Sequence, residues 1–390
     1  MNPKPDWHSL RAEFPLLTRL IYLNACSLGP LPRGARAALE KYAAGWDSKG
    51  TPVWFSEWMP GLVRLRSRLE ELLHAPAGSV ALNPSVSAAL TTMASCLPMN
   101  GRRKVLVGAL DFPTVGHQFL SRPELEVEFV PSDDGVSIPP AAFIERIDSS
   151  VGLVATTHLF YTTGYVQDVR PIADAAHAAG ALMLVDGYQS VGCLPVDVDA
   201  LGCDVFIAGC LKWLSGGPGT AFTYVRPELI ARLRPQGTGW FATRDPFSFT
   251  LEQLDFAADA RRFEAGTWAV PAHLAALAAL ELILEVGVPA ICDRLRDFSD
   301  RILERCTEAG IAVFTPRERE RRVGVVTVRS DAPEQVEARL LAAGVVVDSR
   351  PGRVRLSPHW ALGQDQLERG LELLLEELRA QAGASRQASR

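Results

Sequence analysis

The chain has 390 residues, of which 47% are hydrophobic, and its 40 basic and 45 acidic side chains leave a formal net charge of −5. This balance lacks the broad positive surface of sequence-tolerant nucleic-acid binders, and every long apolar stretch carries charges that exclude a bilayer span, so we expect neither nucleic-acid nor membrane partners. Because the N-terminus lacks the apolar core of a signal peptide and the seven cysteines include no Cys-x-x-Cys pair, we expect a cytoplasmic protein without a disulfide framework or a metal site.

The predicted elements alternate between helices and strands. Residues 33–74 have helical periodicity with a break near Gly50–Pro52. Short β-rich runs then alternate with helical or turn-rich segments, an order that predicts a mostly parallel sheet with right-handed crossovers. These runs are Lys104–Val107, Leu125–Val130, Leu153–Thr157, Leu182–Val185, Val205–Ala208 and Ala221–Val225.

The C-terminal part of the chain has a different pattern. Pro235–Ala265 is rich in proline, glycine and aromatic residues without periodicity, which predicts a long functional loop. A helical pattern follows over Pro271–Val286, then alternating runs over Val323–Val328 and Val345–Asp348, and finally an amphipathic helix over Gln364–Arg379. The expected units are an N-terminal segment (1–32) packing with the small domain, a large α/β domain (33–275), a small α+β domain (276–380) and a disordered tail (381–390).

The chemistry is concentrated at the ends of two predicted strands. One apolar run ends in Asp186 and a second leads into Lys212, at the sheet edge where open α/β sheets bind ligands. Pyridoxal phosphate needs a lysine for its Schiff base and an acid that keeps its pyridine nitrogen protonated. From spacing alone, a helix-capping Asp186 and a surface Lys212 are an equal alternative. Only five of the 40 basic residues are lysines, which favours a specific role for Lys212.

A longer pattern surrounds these two residues. The segments VDGYQSVG (185–192) and GPGTAFTYVR (217–226), with Lys212 between them, closely resemble the class V aminotransferase family of fold-type I pyridoxal phosphate enzymes. This family includes cysteine desulfurases, isopenicillin-N-epimerase-like enzymes and kynureninases. The resemblance runs from YLNACSLGPLP (22–32) to GRVRLSP (352–358). It implies a large domain with a mixed, mostly parallel seven-stranded sheet between helices, a small C-terminal α+β domain, an amino-acid substrate, and a homodimer with shared active sites.

The resemblance also implies a role for individual residues. Lys212 matches the Schiff-base lysine, Asp186 the carboxylate at the pyridine nitrogen, and Arg355, with Asn24, the substrate-binding positions. The arginine would take the α-carboxylate, a bidentate task that suits a guanidinium. The other positions that match cofactor contacts are Val86 and Ser87 in a phosphate-binding turn, Phe112 on the ring face, Thr157, Gln189 near the phenolic oxygen, Trp240, and Thr267 from the second subunit. Ordinary helix capping by serine, and local backbone bonding by either threonine, are the alternatives.

Kynureninases resemble the chain most through NACSLGPLP, DFPT, YTTG, GWF and RRFEAGT. Two positions depart from them: Leu211 stands where they usually carry tyrosine, and Ala242–Thr243 where they carry Gly-His. We therefore expect kynureninase-like cleavage at Cβ by a lyase or hydrolase, with weak or no activity on kynurenine itself. An aminotransferase or epimerase is the alternative. Cysteine desulfurase chemistry through a protein persulfide is disfavoured, because residues 315–328 contain no cysteine.

Overall fold

A computed structural model describes residues 5–388. The strands of this part of the chain are β1 (Ile21–Tyr22), β2 (Val80–Asn83), β3 (Lys104–Gly108), β4 (Glu126–Val130), β5 (Val151–Thr157), β6 (Leu182–Asp186), β7 (Val205–Gly209), β8 (Ala221–Val225), β9 (Val326–Arg329), β10 (Val345–Val346), β11 (Asp348–Arg350) and β12 (Arg353–Leu356). Its α-helices are α1 (Trp7–Ala12), α2 (Arg33–Lys49), α3 (Met59–Leu73), α4 (Val86–Cys96), α5 (Pro113–Leu120), α6 (Pro140–Ile144), α7 (Arg170–Ala178), α8 (Val198–Leu201), α9 (Pro227–Ile230), α10 (Val270–Val286), α11 (Val288–Glu308), α12 (Pro333–Ala342) and α13 (Gln364–Ala388).

A central seven-stranded sheet has the order β2-β8-β7-β6-β5-β3-β4. Strands β4, β3, β5, β6 and β7 run parallel, whereas β8 is antiparallel to both of its neighbours, β7 and β2. Every residue of β5, β7 and β8 is buried, as expected for strands that are covered by helices on both faces. The mostly parallel, mixed seven-stranded sheet predicted from the sequence is confirmed.

The hydrophobic core has two main parts, one on each face of the central sheet. Consecutive residues of a strand point to opposite faces, so Phe206 and Ile207 of β7 belong to different clusters. Leu106 and Val107 of β3 divide in the same way. This double cover leaves the carboxyl ends of the parallel strands as the edge at which loops and side chains meet.

Two smaller sheets connect the N-terminal segment with the C-terminal part of the chain. Strand β1 pairs in parallel with β10, while β11, β12 and β9 form an antiparallel sheet. An isolated bridge between Asn24 and Ser357 continues this connection. The boundary expected at 275/276 falls inside α10, which packs against α2 and α3, so we propose that the smaller unit begins after Val286.

The structure differs from the sequence-based expectation in several elements. Strands β2 and β12 and the whole of α11 were not predicted. Helix α13 is described as far as Ala388, and residues 389–390 lie outside the described part; the expected disorder of the tail over 381–390 stays a prediction. The predicted loop over Pro235–Ala265, by contrast, agrees with the structure, in which this segment contains short 3₁₀ turns and an isolated bridge between Thr243 and Phe256. Among the described helices, none is long and apolar enough by itself to cross a membrane, and α10 and α11 pass that test only as a pair bent by 80°.

Candidate active site

The site lies at the carboxyl ends of three neighbouring parallel strands. Thr157 at the end of β5 is opposite Asp186 at the end of β6, and Asp186 is opposite Ile207 of β7. Directly after β6, Gly187 allows the chain to turn closely over β7: a Cβ atom at this position would lie 1.8 Å from the Phe206 ring. Lys212 follows β7 after a short connection, so strand register alone brings Asp186 and Lys212 to the same edge.

The Lys212 amine is enclosed by two aromatic rings. Its Nζ atom lies 4.2 Å from the ring centroid of Tyr188 and 5.7 Å from that of Phe112. Burial lowers the pKa of Lys212 to about 8, although the negative charge of Asp186 acts in the opposite direction. A substantial fraction of the amine is therefore neutral near physiological pH, which is the form that attacks a carbonyl carbon.

Asp186 is a buried carboxyl group, with a relative exposure of 5%. Burial raises the pKa of Asp186, while a hydrogen bond from the Tyr188 backbone N–H to Oδ1 (2.9 Å) and the charge of Lys212 lower it. A carboxylate in this environment is stabilised by a further positive charge beside it. A protonated pyridine nitrogen would supply that charge.

Arg355 is buried, and its guanidinium is fixed by three protein groups. One terminal nitrogen donates to the Tyr161 carbonyl oxygen at 2.7 Å, and the other donates to Ser27 Oγ at 2.6 Å and to the Asp348 carboxylate. Asp348 is directly opposite Arg355 in the pairing of β11 with β12. The Nε–H of Arg355 is buried and has no partner among the described residues. The arginine is thus oriented in advance rather than solvated, and its Nε–H and the second N–H of the nitrogen that bonds Tyr161 remain for a ligand.

Other buried polar atoms near these residues also lack partners within the described chain. They include Oδ1 of Asn24, which pairs with Ser357, and Oγ1 of Thr157, which is opposite Asp186 in the pairing of β5 with β6. A buried polar atom without a hydrogen bond costs about 1–3 kcal/mol, so a bound molecule that bonds these two oxygens would be stabilised. An amine, a carboxylate and unpaired donors and acceptors fit pyridoxal phosphate and an amino acid.

Helix α4 presents its N-terminus where the sequence predicted a phosphate-binding turn. Ser85 caps the helix, because its Oγ accepts a hydrogen bond from the Ala88 N–H at 3.1 Å. Val86 is buried, whereas Ser87 is exposed. The capping role therefore belongs to Ser85, and the Ser87 hydroxyl remains available to a phosphate group at the positive end of the helix dipole.

Three of the predicted cofactor contacts are placed differently. The Gln189 amide is held by protein groups: its Nε2 donates to the Cys26 carbonyl oxygen at 3.0 Å, and its Oε1 accepts from Trp213 Nε1 at 3.2 Å. Trp240 packs against Phe241, with ring centroids 3.8 Å apart, and Thr267 is exposed. Within one chain, Trp240 and Thr267 have no contact with the Lys212 amine among the aromatic and polar contacts of the described residues, whereas both partners of Gln189 are close to Lys212. Their predicted contacts with the cofactor stay predictions.

The structure also adds residues to the site that were not predicted from the sequence. Tyr188 covers one side of the Lys212 amine, and Asp348 with Ser27 orients Arg355. Asp111, directly before Phe112, is a further buried carboxyl group at the same edge. The position of Tyr188 two residues after Asp186 places it near the site, but the direction of its side chain depends on the turn between them. The contacts of the others depend on long-range pairing. Within residues 5–388, no group of three or more metal-ligating side chains is arranged to hold a metal ion.

Comparison with known proteins supports the same chemistry. The family described as aminotransferase class-V matches residues 39–359. A protein of Bacillus subtilis (strain 168) named uncharacterized aminotransferase YcbU is 32% identical over 365 residues, covering 93% of this chain and 95% of the relative. A kynureninase of Deinococcus radiodurans is 34% identical over 358 residues, covering 87% and 85%, respectively.

Solved structures share the fold at lower sequence identity. The apo cysteine desulfurase of Thermococcus onnurineus NA1 has a TM-score of 0.87 at 21% identity, covering 97% of this chain and 99% of its own. A C-DES variant with glycine covalently linked to its pyridoxal phosphate cofactor also has a TM-score of 0.87, at 19% identity over 95% and 99%. With the site geometry and the family match, these findings show that the chain belongs to the class V aminotransferase family and is a pyridoxal phosphate enzyme of fold type I.

Proposed function

We propose that this enzyme cleaves a bond at Cβ of an α-amino acid, as a kynureninase-like lyase or hydrolase. The observation that carries this choice of reaction is the 34% identity to a kynureninase over 358 residues. The geometry supports the substrate class, because a buried Arg355 with a free Nε–H suits an α-carboxylate, and Arg355 is near enough to Lys212 for its charge to act on the pKa of the Lys212 amine.

Each residue of the site has a separate task in this proposal. Pyridoxal phosphate, when bound, supplies the electron sink for bonds at Cα and Cβ of the substrate. Lys212, with its pKa lowered to about 8, can accept a proton at Nζ and return it near neutral pH. The Asp186 carboxylate would stabilise a positive charge at the ring nitrogen of the bound cofactor. Arg355, fixed by Tyr161 and Asp348, orients the substrate through its carboxylate.

Leu211 limits the range of substrates. It is only partly buried and has no group that could donate a proton, although kynureninases usually carry a phenol at this position. We therefore propose a small or aryl-bearing amino acid as the substrate, with weak or no turnover of kynurenine.

Two other reactions are alternatives to Cβ cleavage. The name of the Bacillus relative favours an aminotransferase as the second candidate. Sulfur transfer through a cysteine persulfide is disfavoured because Cys193, Cys292 and Cys306 are buried, and burial raises the pKa of each thiol.

We also propose that the enzyme is a homodimer that acts in the cytoplasm. The loop after β8 exposes large apolar side chains, among them Phe249 (70% exposed) and Leu251 (97%). A second copy of the chain would cover them and could bring Thr267 to the neighbouring site, since two-fold dimers are the commonest soluble assembly. The cysteines of the described chain are all free thiols, as is usual in a reducing compartment.

An amino-acid panel distinguishes the candidate reactions. The holoenzyme is incubated with each amino acid without a 2-oxo acid, and ammonia, alanine and pyruvate are measured, with the Lys212→Ala variant as control. We expect turnover without an acceptor. Strict dependence on a 2-oxo acid would make the enzyme an aminotransferase, and exchange of the α-proton with racemisation alone would make it an epimerase.

A further inference from the structure

Asp111 is a buried carboxylate to which the proposed reaction gives no role. It follows strand β3, precedes Phe112 directly and has a relative exposure of 9%. Its Oδ2 accepts a hydrogen bond from the Gly108 N–H at 2.9 Å, and its Oδ1 accepts one from the Thr157 N–H at 2.9 Å. The Thr156 hydroxyl also donates to Oδ1, at 3.3 Å. A single side chain thus joins the ends of β3 and β5.

The chain is built to admit this carboxylate. A Cβ atom at Gly108 would lie between 3.0 and 3.2 Å from the atoms of the Asp111 carboxyl group. Such contacts are tighter than ordinary packing. The absence of a side chain at position 108 therefore allows Asp111 to fold back onto the end of β3 and reach β5.

Two residues next to Asp111, its hydrogen-bond partner Thr157 and the following residue Phe112, lie at the predicted cofactor-binding edge. Thr157, which donates to its carboxylate, is opposite Asp186 in the sheet register. Phe112, the next residue in the chain, has its ring 5.7 Å from the Lys212 amine. Phe112 is 45% exposed, so its position is not fixed by burial in the core, and its aromatic contact is a single edge-on approach to Tyr161. The backbone before the ring is the part that the structure holds firmly.

We propose that Asp111 is a positioning residue that fixes the Phe112 ring relative to Asp186 and Lys212, and so sets the orientation of the pyridoxal phosphate ring. The inference rests on the proposed assignment of Phe112 to the cofactor site, and is independent of which substrate bond is cleaved. Asp111 itself touches neither cofactor nor substrate in this role.

The Asp111→Asn variant tests the proposal. Asparagine keeps the shape, but its amide nitrogen cannot accept from an N–H, so at least one of the bonds to Gly108 and Thr157 is lost. We expect the visible circular dichroism per bound cofactor to fall by about half. We also expect the cofactor Kd, measured by quenching of tryptophan fluorescence, to rise about tenfold, and kcat to fall with little change in KM.

A matched control removes similar bonds away from the site. The Asp134 carboxylate accepts hydrogen bonds from the N–H groups of Val136 and Ser137 in the connection between β4 and α6. Both N–H groups donate to the same Asp134 oxygen, which asparagine would keep, so the control variant is Asp134→Ala. It removes both bonds and should leave the dichroism and the cofactor Kd unchanged. If it alters them as strongly as Asp111→Asn does, the effect is general loss of loop order and the proposal is wrong.

The Phe112→Leu variant separates the two assumptions. If it leaves the visible dichroism unchanged, the assignment of Phe112 fails. If it reduces the dichroism but Asp111→Asn does not, the assignment stands and the role of Asp111 is refuted. Should Asp111→Asn fail to fold, Thr156→Val removes one bond to the same carboxylate while keeping the side-chain shape. A smaller loss of dichroism is then expected, and an unchanged signal would overturn the proposal.

Discussion

The lowered pKa of Lys212 can be measured directly, because the chain has only five lysines. With a pKa of about 8, roughly 9% of Lys212 side chains are neutral at pH 7, against roughly 0.03% for a lysine at its ordinary value of 10.5. The neutral amine is therefore about 300 times more abundant at Lys212. In the apoprotein we expect the pH profile of Lys212 acylation to rise tenfold per pH unit below 8 and to level above it.

The assay is labelling with a trace of acetic anhydride from pH 6 to 11, followed by peptide mass spectrometry. Lys104 is the internal control, because its ion pair with Glu128 (2.7 Å) raises the pKa of Lys104. The two lysines are compared by the pH at the midpoint of each acylation profile and not by the absolute rate of acylation, since burial slows access to the Lys212 amine. A Lys212 profile that follows that of Lys104 would refute the argument.

Asp186 provides a second, opposite test of the same electrostatics. Its negative charge raises the pKa of Lys212 against the larger effect of burial. The Asp186→Asn variant should therefore move the acylation midpoint of Lys212 to lower pH while leaving that of Lys104 in place. A midpoint that moves upward instead would show that the carboxylate does not act on the amine as described.

The remaining predictions concern the substrate, the interface and stability. Arg355→Ala should lower kcat/KM by a factor that corresponds to about 2–5 kcal/mol, because Asp348 and the substrate carboxylate lose their cation. Unchanged kinetics would exclude Arg355 from substrate binding. Leu211→Tyr restores the phenol that kynureninases usually carry, and it should raise the turnover of kynurenine, measured by absorbance, at least about tenfold, because a positioned proton donor contributes roughly 10²–10⁴-fold. Unchanged turnover would show that the missing phenol does not limit this reaction. Phe249→Asp should shift the sedimentation coefficient toward a monomer and lower activity, whereas an unaltered dimer would place the interface elsewhere. Burial raises the pKa of Asp111 to about 7, so the stability that protonated Asp111 contributes is lost as the pH rises from the pKa of the unfolded chain toward 7. In urea unfolding of the apoprotein, the free energy of unfolding of Asp111→Asn should therefore rise by about 2–3 kcal/mol relative to that of the wild type between pH 5 and 8. A difference that does not change with pH would contradict this pKa.

The elements that the sequence predicted well are those determined by local composition. Strands β5, β6 and β8 have continuous apolar runs, and their predicted bounds agree with the structure to within two residues. By contrast, β2 has four residues and is a strand only because it pairs with β8, more than a hundred residues later. Helix α11 begins directly after α10, across Gly287. Its many charged residues make its apolar periodicity less evident in the sequence, so it was not predicted.

The site shows the same division between local and long-range information. Asp186 and Lys212 could be predicted because each follows an apolar strand, and parallel strands bring such positions to one edge. The enclosure of the amine by Tyr188 depends on how the side chain is directed after a turn, which spacing does not show. The ion pair of Arg355 with Asp348 requires the register of a three-stranded sheet, and β12, the central strand that carries Arg355, was not predicted.

The pairing of Asn24 with Ser357 has a consequence for synthesis of the chain. The N-terminal segment that carries Asn24 and Ser27 also contacts Gln189 through the Cys26 carbonyl, but its pairing with β10 and Ser357 cannot form until more than 350 residues have been made. Domains generally fold as they leave the ribosome, N-terminal parts first, and contacts between distant residues form slowly. The cofactor half of the active site can therefore fold early, whereas the half that recognises the substrate carboxylate is completed last, and a chain that stops before Ser357 would have only the first.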